Sequence, residues 1–443
     1  MFNFNYQLYM LEIKGKYCKD CKIFAETIEE EALSTVYGIC DHPAFKDSKI
    51  RIMSDVHQGK GIVIGFTCPV GEYVNPAHIG VDIGCQMTTI QLSKQIEEKD
   101  YPTFERRLRN KIPTGFEIQS KVIYPEKDLY KFLEKEYQKA RSSWPEMIPA
   151  IDRVDERFIT KLCQRVGIEE RLFYKSIGTI GGGNHFLEYG ETDDTRAFLT
   201  VHCGSRNFGL KVAKYWMSQA KRGDLSKELD KRIKEIKETV QDKTKWESLI
   251  KKAKEEVKQH NPEGYLEGEK LRGYLSDMVI AQGYAKYNHE IIMNLAKEIL
   301  LGYGIHEISR IQTIHNYISF EDHIIRKGAI QSYSGRKMII PFNMRDGLAI
   351  CEGKSNQDWN FSAPHGAGRV MSRSAARENV DLEEFKETMK GIYSTCIGRG
   401  TLDESPMVYK DTSEIINAIS DTAKILFFVK PRINIKAKDT TED

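Results

Sequence analysis

The sequence predicts a mixed α and β protein, and three observations carry that prediction. Blocks rich in glycine and β-branched residues, with few charges, read as strands joined by tight loops; the run IRIMSDVHQGKGIVIGFTCPVGEYVNPAHIGVDIGCQMTTIQL from residue 50 is the longest. Charged stretches with apolar residues three and four apart read as helices. The two kinds of segment alternate along 443 residues with no internal repeat and no proline- or serine-rich linker. A prior of roughly 150 residues per domain suggests two or three modules. The interleaving argues instead for one large domain over 1–443 with helical excursions.

Taken in order, residues 4–14 alternate apolar and polar side chains as a strand does, and IFAETIEEEALSTVYGIC from 23 follows with helical spacing. Residues 125–175 carry charged, helical patterning, and a second glycine-rich block runs from Ser176 to Gly209. In the stretch 224–260, Leu225, Leu229, Ile233, Ile236 and Val240 recur at helical spacing. After a polar break at Gln241–Lys245, Trp246, Leu249, Ile250, Ala253 and Val257 do the same, so a hairpin of two amphipathic helices is expected. Its mixed Lys and Glu fit a solvated face. Glycine-containing loops occupy 306–375, helices are expected near 381–391 and 412–421, and ILFFVKPRINIKAK reads as a last strand.

Hydrophobic residues make up 40% and charged residues 29%, which excludes a disordered chain, a collagen-like repeat and a cysteine-dense secreted scaffold. Sixty-six Lys and Arg against 64 Asp and Glu leave a formal charge of +2, so a global basic excess is absent while a local basic groove stays open. No apolar run reaches the ~18 residues of a membrane span, and the first residues lack a basic segment and a small-residue cleavage site. Nine scattered Cys without an export signal imply reduced thiols and a cytoplasmic protein.

Chemistry concentrates in the glycine-rich blocks. Asp82 and Cys85 lie in VDIGCQM, where a carboxylate and a thiol with two residues between them, one a glycine, can turn toward one ion. Asn184, His185 and Glu188 lie in GGGNHFLE, whose glycines let backbone N–H groups approach a phosphate. His202 is followed by Ser205 and Arg206 in VHCGSRNFG; His315 lies in IHNYIS; and His365 lies in APHGAGRVMSR beside Arg369 and Arg373. A lone histidine is more often structural, but four of the eleven share this setting. An Asp, a Cys and three His suffice for one or two metal ions, because a thiolate can bridge, and residue type alone nominates zinc. Cys18 and Cys21 have CxxC spacing without a second pair, and are expected to be a coincidence or a surface thiol pair. His42, His78, His260, His289, His306 and His323 carry no comparable signal.

Together MSDVHQGKG, VDIGCQM, GGGNHFLE, HCGSRNFG, HNYIS, SAPHGAGRVMSR and DESPMVYKD, in this order, resemble the RtcB-type RNA ligases over nearly the whole chain. The resemblance implies an α+β fold with central sheets around a metal-containing cleft and peripheral helices. It implies an enzyme that uses GTP and two manganese ions to join an RNA 3′-phosphate or 2′,3′-cyclic phosphate end to a 5′-hydroxyl end, in RNA repair or tRNA splicing. Transferred by position, Asp82, Cys85, His185, His202 and His315 are the metal ligands, with Cys85 bridging and manganese replacing the zinc that residue type suggests. His365 is the nucleophile that takes GMP, and Asp55 is a further position tied to activity. The nucleotide would meet Asn184, His185, Phe186, Leu187, Glu188, His315, Asn316, Pro341, Asn343, Met344, His365, Gly366, Ala367, Gly368 and Lys436, with Glu188 and Lys436 addressing guanine. Arg206, Arg369 and Arg373 are the candidates for RNA phosphates, because guanidinium forks match phosphate oxygens. A monomer is the default, and an archease-type activator is a conceivable partner.

The chain departs from the family pattern at three places, one of them the C-terminal IKAK, where the family has IKG and Lys436 is kept. Gln86 stands where a glycine is usual. In IIPFNMRDGL, Phe342, Asn343, Arg345 and Leu348 replace a pattern of Gly, Ser or Thr, Gly and a Ser four residues after Met344. A lost hydroxyl there costs about 0.5–1.5 kcal/mol of hydrogen bonding to a nucleotide, and marks a divergent subgroup. A metal-dependent enzyme that processes or nucleotidylates RNA 3′ ends without sealing is the alternative. A non-catalytic RNA-binding descendant predicts loss of ligands, and none of the five is lost.

Overall fold

Two sheets bring the glycine-rich blocks together in the computed structural model, which describes residues 10–242, 245–259 and 264–438. A seven-stranded sheet runs in the order Lys337–Asn343, Gly347–Gly353, Ala423–Ile435, Phe186–Glu191, Ala197–Cys203, Gln86–Leu92 and Glu307–Ile314, every neighbour antiparallel. Its first and last strands lie close to one another, so the sheet curls strongly. Alternation along the strands fills both faces. Ile90, Leu187, Leu199, Val201 and Ile433 join one apolar cluster, whereas Met87, Phe186, Phe198, Ile350 and Val429 join another.

A six-stranded sheet has the order Leu11–Ile13, Asp20–Ile23, Lys49–His57, Ile64–Pro69, Ile324–Lys327 and Asn316–Ile318. One pair in it is parallel, Asp20–Ile23 with Lys49–His57, and the helix Glu30–Cys40 makes the crossover that such a pair needs. A small ribbon of Ala329–Gln331 and Ser362–Pro364 lies beside the sheets. The chain passes from the seven-stranded sheet to the six-stranded one at His315, between Glu307–Ile314 and Asn316–Ile318, so this junction is where two layers meet.

Helices cover the outside. Glu126–Ser143, Glu156–Val166 and Glu170–Lys175 fill the charged region as expected, Leu382–Thr388 and Thr412–Ala418 match the two C-terminal helices, and Ala423–Ile435 is the last strand. The helical hairpin is present, but its first helix spans Arg206–Thr239, 34 residues, rather than beginning near 224. Phe208, Val212, Ala213, Trp216 and Ala220 supply a buried stripe that continues the helix back into the glycine-rich block. The second helix is Trp246–Gln259, and Arg232 bonds Glu256 across the hairpin at 2.7 Å. The helix expected from 23 starts only at Glu30, because Asp20–Ile23 are drawn into the sheet. Cys18 and Cys21 are not surface thiols: both are buried in the N-terminal core together with Cys40. Of the strand expected at 4–14, residues 4–9 lie outside the described residues, as does His260. Among the described residues no helix is long and apolar enough to cross a membrane.

The helix Gly268–Leu301 is buried along most of its length and braces the site from behind. Its Asn288 accepts from Gly178 N–H at 2.7 Å and donates to Thr179 O at 3.2 Å. Its His289 links Thr88 Oγ1 and Cys203 O, each at 2.9 Å. These buried bonds tie the helix to the loop before His185 and to the strand that carries His202. Asn288→Ala strips both loop contacts and is expected to cost about 1–3 kcal/mol, read as a lower denaturation midpoint at unchanged slope. An unmoved midpoint would mean that the loop is held by its other contacts alone.

Candidate metal centre and active-site cleft

Asp82 and Cys85 enter the site on a tight turn. Cys85 N–H donates to Asp82 O, and Gly84 N–H donates to Asn316 O. Gly84 has φ +76 with Gln282 Cα 2.9 Å from the place of a Cβ, so glycine is required there. Cys85 O then accepts from His315 N–H at 3.0 Å, pinning two ligands from distant blocks to each other. His202 sits on the strand Ala197–Cys203 opposite both Met87 and Phe186. His185 closes a turn on Gly182 O immediately before that neighbouring strand. Register places the four blocks side by side.

Their side chains converge on one sulfur. Cys85 Sγ lies 3.3 Å from His185 Nε2 and 3.3 Å from His202 Nε2. His202 Nε2 is also 3.3 Å from His315 Nε2, and His185 Nε2 is 3.0 Å from Asp82 Oδ2. His202 Nδ1 donates to Asn184 O at 3.1 Å, which leaves a bare lone pair on Nε2. Burial pushes His202 and His315 well below the ordinary histidine range, so both are neutral. Burial, with Asp82 beside it, pushes the Cys85 thiol well up. Asp82 is pushed up by burial, but the hydrogen bond and charge of His185 outweigh that and lower it overall. Buried acceptors turned on one another fit a cation, which would draw the thiolate out and offset the burial. Cys85, His185 and His202 alone already form a group able to hold a metal ion.

His365 stands next in the row of rings, its centroid 4.8 Å from that of His315. Asp55, fully buried on the strand Lys49–His57, brings Oδ2 to 2.7 Å from His365 Nδ1 and also accepts the His365 backbone N–H at 3.1 Å. A carboxylate can only accept there, so Nδ1 carries the hydrogen and Nε2 keeps its lone pair. The family model described as "tRNA-splicing ligase RtcB" matches residues 41–437.

The chain belongs to the RtcB family.

Among similar proteins, the "RNA-splicing ligase RtcB" of Escherichia coli K12 is 27% identical, covering 92% of this chain and 95% of its own length. The "tRNA-splicing ligase RtcB" of Aeropyrum pernix is 24% identical over 82% of each chain. The "RNA-splicing ligase RtcB" of Mycobacterium tuberculosis is 23% identical over 83% and 91%.

Beside the metal residues opens a cleft of about 870 Å³, within the range of cofactor sites. It is lined by Asp82, Cys85, His202, His315 and His365, and by most residues expected at the nucleotide: Asn184, Phe186, Glu188, Asn316, Pro341, Asn343, Met344, Gly366, Ala367, Gly368 and Lys436. Leu187 and His185 are the exceptions. Strand alternation turns Leu187 into the core on the other face of the sheet, and His185 is turned onto Cys85 and Asp82. Arg369 and Arg373 line the cleft, whereas Arg206 bonds Thr179 Oγ1 and Gly115 O and serves the loop between them. That loop contact corrects the expectation of a free phosphate-binding guanidinium at 206.

The divergent loop is braced mostly from within, with Thr412 Oγ1 also donating to Asp346 Oδ2 at 3.1 Å. Asn343 Oδ1 accepts from the N–H groups of Arg345 and Asp346, and its amide donates to Asp346 Oδ2 at 2.7 Å. Arg345 grips Asp346 in turn. Asn343 therefore lines the cleft as the cap of a turn, and Phe342 and Met344 face apolar clusters.

Two residues without an assigned role in the sequence reading organise the far wall. Glu404, from DESPMVYKD, meets Lys436 Nζ at 3.0 Å, Arg373 at 2.7 Å and Tyr409 OH at 2.8 Å. Burial pushes Glu404 up, but Lys436, Arg373 and Arg369 overcome it and hold the group well below the carboxylate range. Asn434 donates to Glu188 Oε2 at 2.8 Å. Burial raises Glu188 to about 8, against the pull of Asn434 and Lys436. No local pattern marks Glu404 or Asn434, since each matters through a partner far away in sequence.

A carboxyl with a raised value is neutral below it and charged above it. If guanine N–H groups donate to Glu188, the affinity for guanine nucleotide should strengthen as pH rises through about 8. Calorimetric titration across that interval should give a flat profile for Glu188→Gln. A wild-type profile as flat as the variant's would remove Glu188 from the contact.

Proposed function

We propose that this chain is a GTP- and manganese-dependent RNA ligase that joins 3′-phosphate or 2′,3′-cyclic phosphate ends to 5′-hydroxyl ends through GMP carried on His365. The observation that carries the proposal is His365 itself, oriented by Asp55, at the edge of a five-residue donor set and open to a nucleotide-sized cleft. The names of the similar proteins, RNA- and tRNA-splicing ligases, agree with it.

His365 Nε2 attacks the α-phosphorus of GTP, and pyrophosphate leaves. Asp55 keeps the lone pair on Nε2 and stabilises the positive charge that grows on the ring, as carboxylates do for catalytic imidazoles. Asp82, Cys85, His185, His202 and His315 would hold two divalent ions, which would supply charge neutralisation and in-line orientation of the phosphates. Glu188 and Lys436 hold guanine, Asn184 and Asn316 reach the phosphates, and the backbone of Gly366–Gly368 passes beside them. An opened 3′-phosphate end takes GMP from His365, and the 5′-hydroxyl displaces it. Arg369 and Arg373, each anchored on Glu404 from the inner side, turn toward the RNA phosphates.

The test uses GTP labelled at the α-phosphate, with manganese, followed by denaturation in alkali. Wild type should retain label, and His365→Ala should retain none. Asp55→Asn keeps the fold of the pocket but offers no carboxylate, and should slow labelling on the order of 10²–10⁴-fold. Cys85→Ala should lose bound metal, by elemental analysis, together with the label. Label from another nucleotide in place of GTP would assign altered base choice to the 342–348 loop, and label without joining of RNA ends would favour end-processing. A folded, metal-loaded protein that takes no label from any nucleotide sinks the ligase reading.

A further inference from the structure

We propose that His57 is a second catalytic histidine, whose Nε2 takes the proton from the RNA 5′-hydroxyl in the sealing step; this rests on the ligase reading above. His57 ends the strand Lys49–His57, two residues after Asp55, and its ring lines the same cleft as His365. Its Nδ1 is 2.8 Å from Asp55 O. A carbonyl can only accept, so the hydrogen is on Nδ1 and the lone pair is on Nε2. Among the described residues no protein group bonds that Nε2. Asp55 thus orients two imidazoles, His365 through its carboxylate and His57 through its carbonyl.

The carbonyl is itself held in place. Gly368, at φ +77, packs so closely that a Cβ there would lie 2.6 Å from Asp55 O. The segment bearing His57 and the loop bearing His365 are therefore pressed together. Burial lowers His57 to about 4, against the opposing pull of Asp55, so the ring is in its proton-accepting form at neutral pH.

Elimination favours the same residue. His202 and His315 point their Nε2 lone pairs into the metal centre, and His365 carries the nucleotide. Glu404 is clamped by cations and Glu188 bonds Asn434 beside Lys436. Among the imidazoles that line the cleft, His57 is the one that no other role consumes. In the step, O5′ forms its bond to the phosphorus of the GMP-activated 3′-phosphate as its proton passes to His57 Nε2. The bond from that phosphorus to GMP breaks, and GMP leaves with the electron pair. The imidazolium then returns its proton to solvent.

The experiment separates the steps in the full-length protein loaded with manganese. RNA carrying a preformed 3′-diphosphoguanosine end is mixed with 5′-hydroxyl RNA in a single turnover, and guanylylation of His365 is measured apart. His57→Asn retains a donor for Asp55 O but has no basic nitrogen, and His57→Ala leaves a gap that free imidazole can enter. Both should seal on the order of 100-fold or more slowly, with guanylylation within a few-fold of wild type, and added imidazole should accelerate His57→Ala alone. Sealing near the wild-type rate in both variants overturns the proposal. So does an equal fall in guanylylation and sealing, which would make His57 a support for Asp55. If wild type takes no GMP at all, the ligase reading fails first and this proposal falls with it.

Discussion

A thiol sulfur and three imidazole nitrogens meet at contacts of 3.3 Å, with a carboxylate 3.0 Å from one of them, and the rest of the structure is arranged to keep them there. Buried acceptors facing one another repel unless a cation lies among them. The scaffold must therefore hold them by force of geometry. Strand register sets His202 beside Met87 and Phe186, a glycine turn folds Asp82 onto Cys85, and one backbone hydrogen bond fixes His315 to Cys85. Behind these, Asn288 and His289 of a largely buried helix satisfy the backbone of the supporting loops.

The second organising element is Asp55. It lies at 0% exposure, and its carboxylate and its carbonyl each take an imidazole N–H. Tautomers are thereby decided by acceptors that cannot donate, which keeps lone pairs on the cleft side. Glu404 plays the complementary part on the far wall. One buried carboxylate gathers Lys436, Arg369 and Arg373, which offsets the repulsion among these cations. The divergent loop at 342–348 closes on itself through Asn343 and Asp346, which explains how the chain tolerates the loss of the usual small residues there.

Much of this was legible beforehand where physical demands are local. Helical spacing marked Glu126–Ser143 and the hairpin, and alternation marked Ala423–Ile435. The failures share one cause. The helix from Arg206 was missed at its start because its glycines resemble a loop, whereas Phe208, Val212 and Trp216 bury a stripe that overrides propensity. Cys18 and Cys21 were taken for a coincidence or a surface thiol pair, but both are in the core, Cys21 on the parallel strand pair and Cys18 bonded through its N–H to Cys40 O. Arg206 was read as a phosphate ligand, and its partners turned out to be Thr179 and Gly115.

The sequence by itself determined the chemical inventory: the Asp, Cys and His residues, the glycines that let backbone come close, and the order of blocks that marks the family. Those features reside in residue identity and short spacing, so they can be seen along a line. Only the tertiary structure decided which side chains share a cavity, which nitrogen of each histidine is free, and which charged residues spend themselves on one another. Glu404 with Lys436, Asn434 with Glu188 and Asp55 with His365 are separated by 32, 246 and 310 residues. Contacts at such separations are set by sheet order and strand register, which no local pattern encodes.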